Sequence, residues 1–261
     1  MARDHALKLP EKDVHGPAPV HIFFRTIAAS RMALLERLKK LPFTPLQLAV
    51  HIYAWQGLGV ILYELFTDNL SVNPLQAIQQ RLGRHALTLL TLSLACSPVA
   101  NITGWREPLK RSRTLGLYAF MVAYIHVLIF LDLDNGLAWN SFIQTVIQKW
   151  YIIFGMLAFL MLTPLAMTSF DVWKVRLGRR WKHLHRLIYV IVPIVVLHYA
   201  LSVKGDIFHL RGAIAQPLNY FIAVVVLLML RLPFVRRGIA RLRGRLTPLF
   251  ARLRPQPLAR G

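Results

Sequence analysis

The sequence predicts an all-α membrane protein with six spans and both termini in the cytoplasm. Three observations carry this. Apolar residues come in blocks of about 20, the length that crosses a bilayer as a helix. Hydrophobic residues make up 56% of the 261-residue chain and charged ones only 16%, with a mean hydropathy of +0.47. The basic residues cluster on alternate sides of the apolar blocks. No strand-like alternation is sustained, which argues against a membrane β-barrel.

The spans are read as Pro45–Phe66, His85–Ile102, Leu115–Leu133, Tyr151–Phe170, Leu184–Val203 and Ala213–Leu232. Pro98 and Asn101 weaken the end of the second. Pro164 and Pro193 lie inside spans and are expected to bend them, which helix bundles tolerate. Of the 32 Lys and Arg residues, 26 fall before span one, between spans two and three, between four and five, or from Arg231 onward. The positive-inside rule puts those segments in the cytoplasm. A net charge of +21 therefore follows the membrane and does not call for nucleic acid. Trp105, Trp139, Trp150, Trp173 and Trp181 fall near span ends, as an interfacial belt does. Trp55 alone lies inside a span.

Three regions are expected: a cytoplasmic N-terminal extension (1–44), the six-span unit (45–232) and a basic cytoplasmic tail (233–261). Within the first, Ile27, Leu34, Leu38 and Leu41 share one helical face, as in an interfacial helix. In the tail, Ile239, Leu242, Leu246, Leu249 and Leu253 recur among arginines. That pattern suits a helix on anionic lipid, and a docking surface for an acidic protein is the alternative. No cleavable signal peptide is expected before span one. One cysteine, Cys96, excludes a disulfide framework and four-cysteine iron–sulfur clusters. No Gly-rich phosphate loop follows a strand, so no fused nucleotide or flavin domain is expected.

Histidines inside the spans carry the chemistry, because an ionisable group in hydrocarbon is costly. His126 lies ~17 Å into span three and His198 ~21 Å into span five at 1.5 Å per residue, both counted from the cytoplasmic side. Facing imidazoles at similar depth are how haem iron is often held on both sides. The absence of a c-type attachment motif implies b-type haem. His185 lies near the cytoplasmic surface, ~140° around an ideal helix from His198. A second haem there needs another ligand, for which His51 is the best placed and His183 a weaker one. For each, the competing reading is a core histidine bound to a carbonyl. His85 and His209 are expected to be solvated at the outer face, and His5, His15 and His21 in the N-terminal region. Arg84 and Lys204 read as snorkelling flanks, with haem propionates as alternative partners.

The run Thr103–Phe120 (TGWREPLKRSRTLGLYAF), followed by Tyr124 and His126, resembles the MsrQ (YedZ) family of the ferric-reductase-like transmembrane group. Leu162–Ser169 (LTPLAMTS), Arg176–Tyr189 (RLGRRWKHLHRLIY) and Leu197–Lys204 (LHYALSVK) continue the resemblance in order. It implies a six-span inner-membrane bundle holding one or two b haems, with ligands at His126, His185 and His198 and a first-span histidine at His51. FMN or a quinone is a further redox group it allows. Electrons would come from a cytoplasmic flavin reductase or quinol. They would pass to a periplasmic molybdopterin-containing subunit that reduces methionine sulfoxide in exported proteins. The chain departs from the two-haem oxidases of the wider group at Arg113, where they carry a second third-helix histidine. The N-terminal extension and arginine-rich tail also exceed the usual family outline. Two alternatives stand beside this reading. One is a stand-alone ferric or metal reductase or quinol-linked cytochrome b; the other is a non-catalytic membrane scaffold or haem sensor. A transporter fits less well, since the spans hold few carboxylates and no inverted repeat is evident.

Overall fold

The computed structural model describes residues 44–67, 69, 72–131, 139–203, 205, 206, 211, 212 and 214–252. The expected interfacial helix of the N-terminal extension lies outside them, as do Lys204 and His209. The described residues fall almost wholly in Leu46–Gly261, the second of two compact units.

The described elements are almost entirely helical. They are α1 (Pro45–Phe66), α2 (Pro74–Thr103), α3 (Glu107–Ile129), α4 (Trp139–Gln148), α5 (Trp150–Met167), α6 (Asp171–Leu177), α7 (Arg179–His185), α8 (Ile188–Ser202), α9 (Ala215–Met229) and α10 (Pro233–Arg252). Gly205–Asp206 (β1) pairs antiparallel with Arg211–Gly212 (β2) between α8 and α9. Five segments are long and apolar enough to cross a membrane: α1, α2, α3, α5 and the α7–α8 stretch Arg179–Ser202. The chain is thus a multi-pass membrane protein. The sixth expected span takes a different form. Helix α9 has 15 residues and meets α10 at a 74° bend, and only the two together pass the same test.

Helix α2 is the centre of the bundle. It packs against α3, α8, α9 and α10, and 39% of its most apolar window is buried against 17–28% for the other spans. Its 30 residues begin well before the expected start at His85, because Asn73 caps the helix. The Asn73 side chain accepts from the Gln76 N–H at 3.2 Å, and Pro74 follows at the first helical position. At the other end Gly104 adopts φ 79° and its N–H donates to Ala100 O at 2.9 Å. That left-handed cap turns the chain directly into α3. Leu82, Leu87, Leu89, Leu90 and Leu94 of α2 meet Val122 of α3 and Ile191, Val192 and Val196 of α8 in the core.

Polar contacts between helices fix the register. Ser93 Oγ donates to Ser112 O at 2.8 Å, and Ser112 Oγ donates back to Ser93 O at 3.1 Å. Small hydroxyl residues let α2 and α3 approach closely, and such bonds are worth ~1 kcal/mol in a membrane. Phe120 of α3 stacks on Phe159 of α5 with centroids 5.7 Å apart and planes 5° apart. Arg231 ties the start of the basic tail to the bundle. Its guanidinium donates to Leu94 O and to the Tyr189 hydroxyl, both at 2.6 Å.

The fifth span is broken. Arg186 and Leu187 separate α7 from α8, and the N–H groups of Arg186, Leu187, Tyr189 and Val190 bond three residues back. This tighter winding changes the angular relation of His185 to His198. The interruption falls six residues before Pro193, which itself lies inside α8.

Replacing Ser93 or Ser112 with Ala is expected to lower stability in detergent by about 1 kcal/mol each. The double variant should lose less than the sum, because the two residues share one contact. Thermal unfolding of the four proteins of the cycle measures this.

Candidate functional site

The bundle brings His126 of α3 and His198 of α8 together. Their ring centroids lie 6.5 Å apart and their planes cross at 82°. Each ring spends its Nδ1 on a backbone carbonyl of a neighbouring helix. His126 Nδ1 lies 3.1 Å from Gln79 O of α2, and His198 Nδ1 lies 2.6 Å from Tyr151 O of α5. A carbonyl only accepts, so both Nδ1 atoms carry the proton in these bonds and both Nε2 atoms keep a lone pair.

The separation is compatible with one metal between the rings. A ring centroid stands ~1.1 Å behind its ligating nitrogen, and a metal–imidazole bond is ~2.0 Å. Two imidazoles on opposite sides of one metal therefore have centroids ~6.2 Å apart, close to the observed 6.5 Å. An Nδ1–H bonded to a carbonyl is the usual outer support of a metal-ligating histidine, because it sets tautomer and ring orientation. The residues present fit a bis-imidazole haem. One neighbour complicates the tautomer of His126. The Gln79 side-chain amide lies 2.7 Å from the same Nδ1, oriented so that its oxygen would accept from Phe130 N–H at 2.8 Å and its nitrogen would face the ring.

A glycine stands under each ring, and at Gly155 the approach requires it. A Cβ on Gly155 would stand 2.7 Å from His198 Cε1 and 2.8 Å from its Nδ1. One on Gly83 would stand 3.5 Å from His126 Cε1, an ordinary contact.

The other histidines have different settings. His51 Nδ1 lies 2.7 Å from the Tyr118 hydroxyl, with the rings edge-on at 5.7 Å. His185 stacks on Trp181 at 4.0 Å, and its Nδ1 lies 3.1 Å from Trp181 O on its own helix. Its Nε2 is buried and makes no hydrogen bond of good geometry. The structure thus pairs His51 with Tyr118 and His185 with Trp181, and not with each other. His183 is exposed. Arg113, the residue after Ser112, donates to Asp171 Oδ1 at 2.9 Å.

His85 corrects an expectation. It is partly buried and its Nε2 donates to Ala54 O of α1 at 3.0 Å, against the face of Tyr53. Its ring sits where the missing side chain of Gly57 leaves room. A histidine with Nε2 committed in this way is a packing residue. Arg84, read as a snorkelling flank, donates to Gln216 Oε1 at 3.0 Å, and the Tyr199 hydroxyl donates to the same oxygen at 2.8 Å. A cavity of about 740 Å³ beside these groups is lined by Tyr53, Arg81, Arg84, His85, Gln216 and Tyr220 among others, and by neither His126 nor His198.

The sequence reading missed the carbonyls of Gln79 and Tyr151 and the glycines four residues after them. Their signal is a glycine in the span preceding each deep histidine, at the same separation from it in both hairpins.

Residues 82–196 match the family described as the ferric reductase like transmembrane component. The protein-methionine-sulfoxide reductase heme-binding subunit MsrQ of Caulobacter vibrioides is 38% identical over 154 residues, covering 59% of this chain and 70% of that protein. The corresponding protein of Rhodospirillum rubrum is 39% identical over 171 residues, covering 65% and 79%. That of Xanthomonas axonopodis pv. citri is 38% identical over 158 residues, covering 60% and 72%. The chain belongs to the MsrQ family of protein-methionine-sulfoxide reductase heme-binding subunits.

Proposed function

We propose that this chain is the haem-b membrane subunit of a methionine-sulfoxide reductase system, with His126 and His198 as the two axial ligands of one haem. The observation that carries the reading is the pair itself: imidazoles at iron-spanning separation, each with Nδ1 held by a carbonyl. The printed function of the relatives, heme-binding subunit, supports it.

When bound, the haem would supply one-electron chemistry between ferric and ferrous iron. The protein's own contribution is to hold two neutral imidazoles in fixed tautomers and to keep water away from them. Leu82 and Leu89 of α2 and Val122 of α3, the helices that carry Gln79 and His126, are almost fully buried, which suits a low-dielectric site whose potential the axial ligands and their hydrogen bonds tune. His185 and His51 each leave one ring nitrogen outside their recorded bonds, and both stand in the proposal as ligands of a second haem. FMN or a quinone would serve as a further redox group.

The proposed route runs from a cytoplasmic flavin reductase or the quinol pool, through the bundle, to a periplasmic molybdopterin-containing reductase acting on oxidised methionine in exported proteins. Family membership supports it. The basic skew of the sequence supports an inner-membrane topology with six spans, taking α9–α10 as the sixth crossing, and both termini in the cytoplasm. It also supports the division into an extension (1–44), a haem-binding unit (45–232) and a cytoplasmic tail (233–261) that meets anionic lipid.

His126→Ala and His198→Ala are each expected to remove the same haem, and the double variant no more than either single one. Pyridine haemochrome counts and reduced-minus-oxidised spectra of the purified proteins test this; full haem in either single variant excludes the pairing. The same counts on His185→Ala and His51→Ala report whether a second haem exists. A C-terminal fusion of the full chain should be fluorescent with green fluorescent protein and inactive with alkaline phosphatase. The reverse pattern would place the C-terminus outside and overturn the topology.

A further inference from the structure

We propose that Gly155 is a positioning residue that uncovers a helical carbonyl for the axial histidine His198, while Gly83, at the equivalent place beside His126, leaves room to spare. The inference rests on the assignment of His126 and His198 as haem ligands.

In an α-helix the carbonyl of residue i accepts the N–H of residue i+4. Its second lone pair points outward, and the Cβ of residue i+4 leans back over it, because side chains tilt toward the helix N-terminus. In a membrane span that carbonyl is normally shielded by its own helix. Both deep histidines nevertheless bond such a carbonyl: Gln79 O in α2 and Tyr151 O in α5. In both cases the residue four positions later is glycine, Gly83 and Gly155. The imidazole therefore lies along the helix with Nδ1 on the exposed lone pair and Cε1 over the glycine Cα. The Cβ positions agree: the atoms each would meet are Cε1 and Nδ1 of that histidine.

The two notches differ in tightness. At Gly83 an added methyl finds ordinary contact at 3.5 Å. At Gly155 the same methyl stands 2.7 Å from Cε1, 2.8 Å from Nδ1 and 3.3 Å from Nε2. The His198 ring must then move, losing the carbonyl bond and taking Nε2 off its line toward His126. Gly57 provides an internal contrast. It makes the same kind of space for His85, at 2.5 Å, but that ring has spent Nε2 on Ala54 O. A methyl there disturbs packing only.

The test compares Gly155→Ala, Gly83→Ala and Gly57→Ala in the full-length protein, each as haem-loaded and haem-free samples. Haem affinity is read by titration, and ring orientation by the low-spin ferric EPR signal, which depends on the angle between axial ring planes. Gly155→Ala is expected to weaken haem binding at least tenfold or to shift that signal, while the haem-free protein keeps wild-type helicity and melting, because its His198 is free to turn aside. Gly83→Ala should match wild type in affinity and spectrum. Gly57→Ala should lower the melting temperature of the haem-free protein and leave the spectrum of bound haem unchanged. Wild-type affinity and EPR in Gly155→Ala would overturn the proposal. So would a haem-free Gly155→Ala protein that melts as far below wild type as Gly57→Ala, since the glycine would then serve helix packing. A wild-type chain that binds no haem would instead remove the ligand assignment on which the inference stands.

Discussion

The structure depends on one kind of bond: a histidine Nδ1–H on a backbone carbonyl of a different helix. Inside a bilayer an imidazole has few polar partners, and backbone carbonyls are the strongest acceptors at hand. Donating to one removes the cost of burying the ring's N–H. It also fixes which nitrogen is left over. A carbonyl-bound core histidine and a metal-ligating histidine are therefore not rival descriptions of His126 and His198. The carbonyl bond satisfies the donor and leaves the acceptor nitrogen uncommitted. Everything that sets the spacing of α2 from α3 and of α5 from α8 then bears on the ligand pair. The reciprocal Ser93–Ser112 contact is part of the α2–α3 spacing, and the Phe120–Phe159 stack sets α3 against α5.

Depth in the membrane does not by itself distinguish a ligand from a packing residue; the identity of the committed nitrogen does. His85 sits one helical turn from Arg81 near the outer end of α2 and commits Nε2 to Ala54. His198 commits Nδ1 to Tyr151 and keeps Nε2. His185 presents an intermediate case. Its Nδ1 bond is to the carbonyl four residues earlier in its own short helix, so the contact orients the ring without tying two helices together. Arg113 is engaged with Asp171. The level of the bundle that holds His185 therefore has one well-placed imidazole, while the level of His126 and His198 has two.

Much of this was legible in the sequence. Composition and block length gave the helical membrane architecture, and counting residues from the basic side gave His126 and His198 a common depth. The resemblance through TGWREPLKRSRT and RLGRRWKHLHRLIY pointed to the family that the comparisons bear out. The boundaries were less legible, for physical reasons. Asn73 and Pro74 start α2 in a polar stretch that hydropathy discounts. Helix α4 joins α5 through Lys149 with no loop between them, so an amphipathic segment merges into the following apolar run. The break at Arg186–Leu187 involves no proline or glycine. It is held by tertiary packing and three-residue backbone bonds, which no local signal announces. The expected sixth span ends at Leu232 in sequence, but the chain bends there between α9 and α10 as Arg231 turns inward to Leu94 and Tyr189.

The missed feature with most consequence is a repeat. It is not the inverted repeat of transporters. A parallel relation is present instead. Displacing the chain by 72 residues carries Gln79 onto Tyr151, Gly83 onto Gly155 and His126 onto His198. The same displacement carries the α2–α3 hairpin onto α5 and α8, the second and third residues of each triad bearing the same chemistry in both copies. Gln79 and Tyr151 share no side-chain chemistry because only their carbonyls are used, and this is why a residue-by-residue reading passes over them. Two copies of one local arrangement, facing each other, deliver two imidazoles with the same nitrogen committed and the same nitrogen free. The displacement also carries Arg113 onto His185, so the repeat is broken where a second facing pair would stand. A ligand pair thus arises at one level of the bundle from a duplicated notch, and a single substitution in one copy is enough to leave the other level with one histidine.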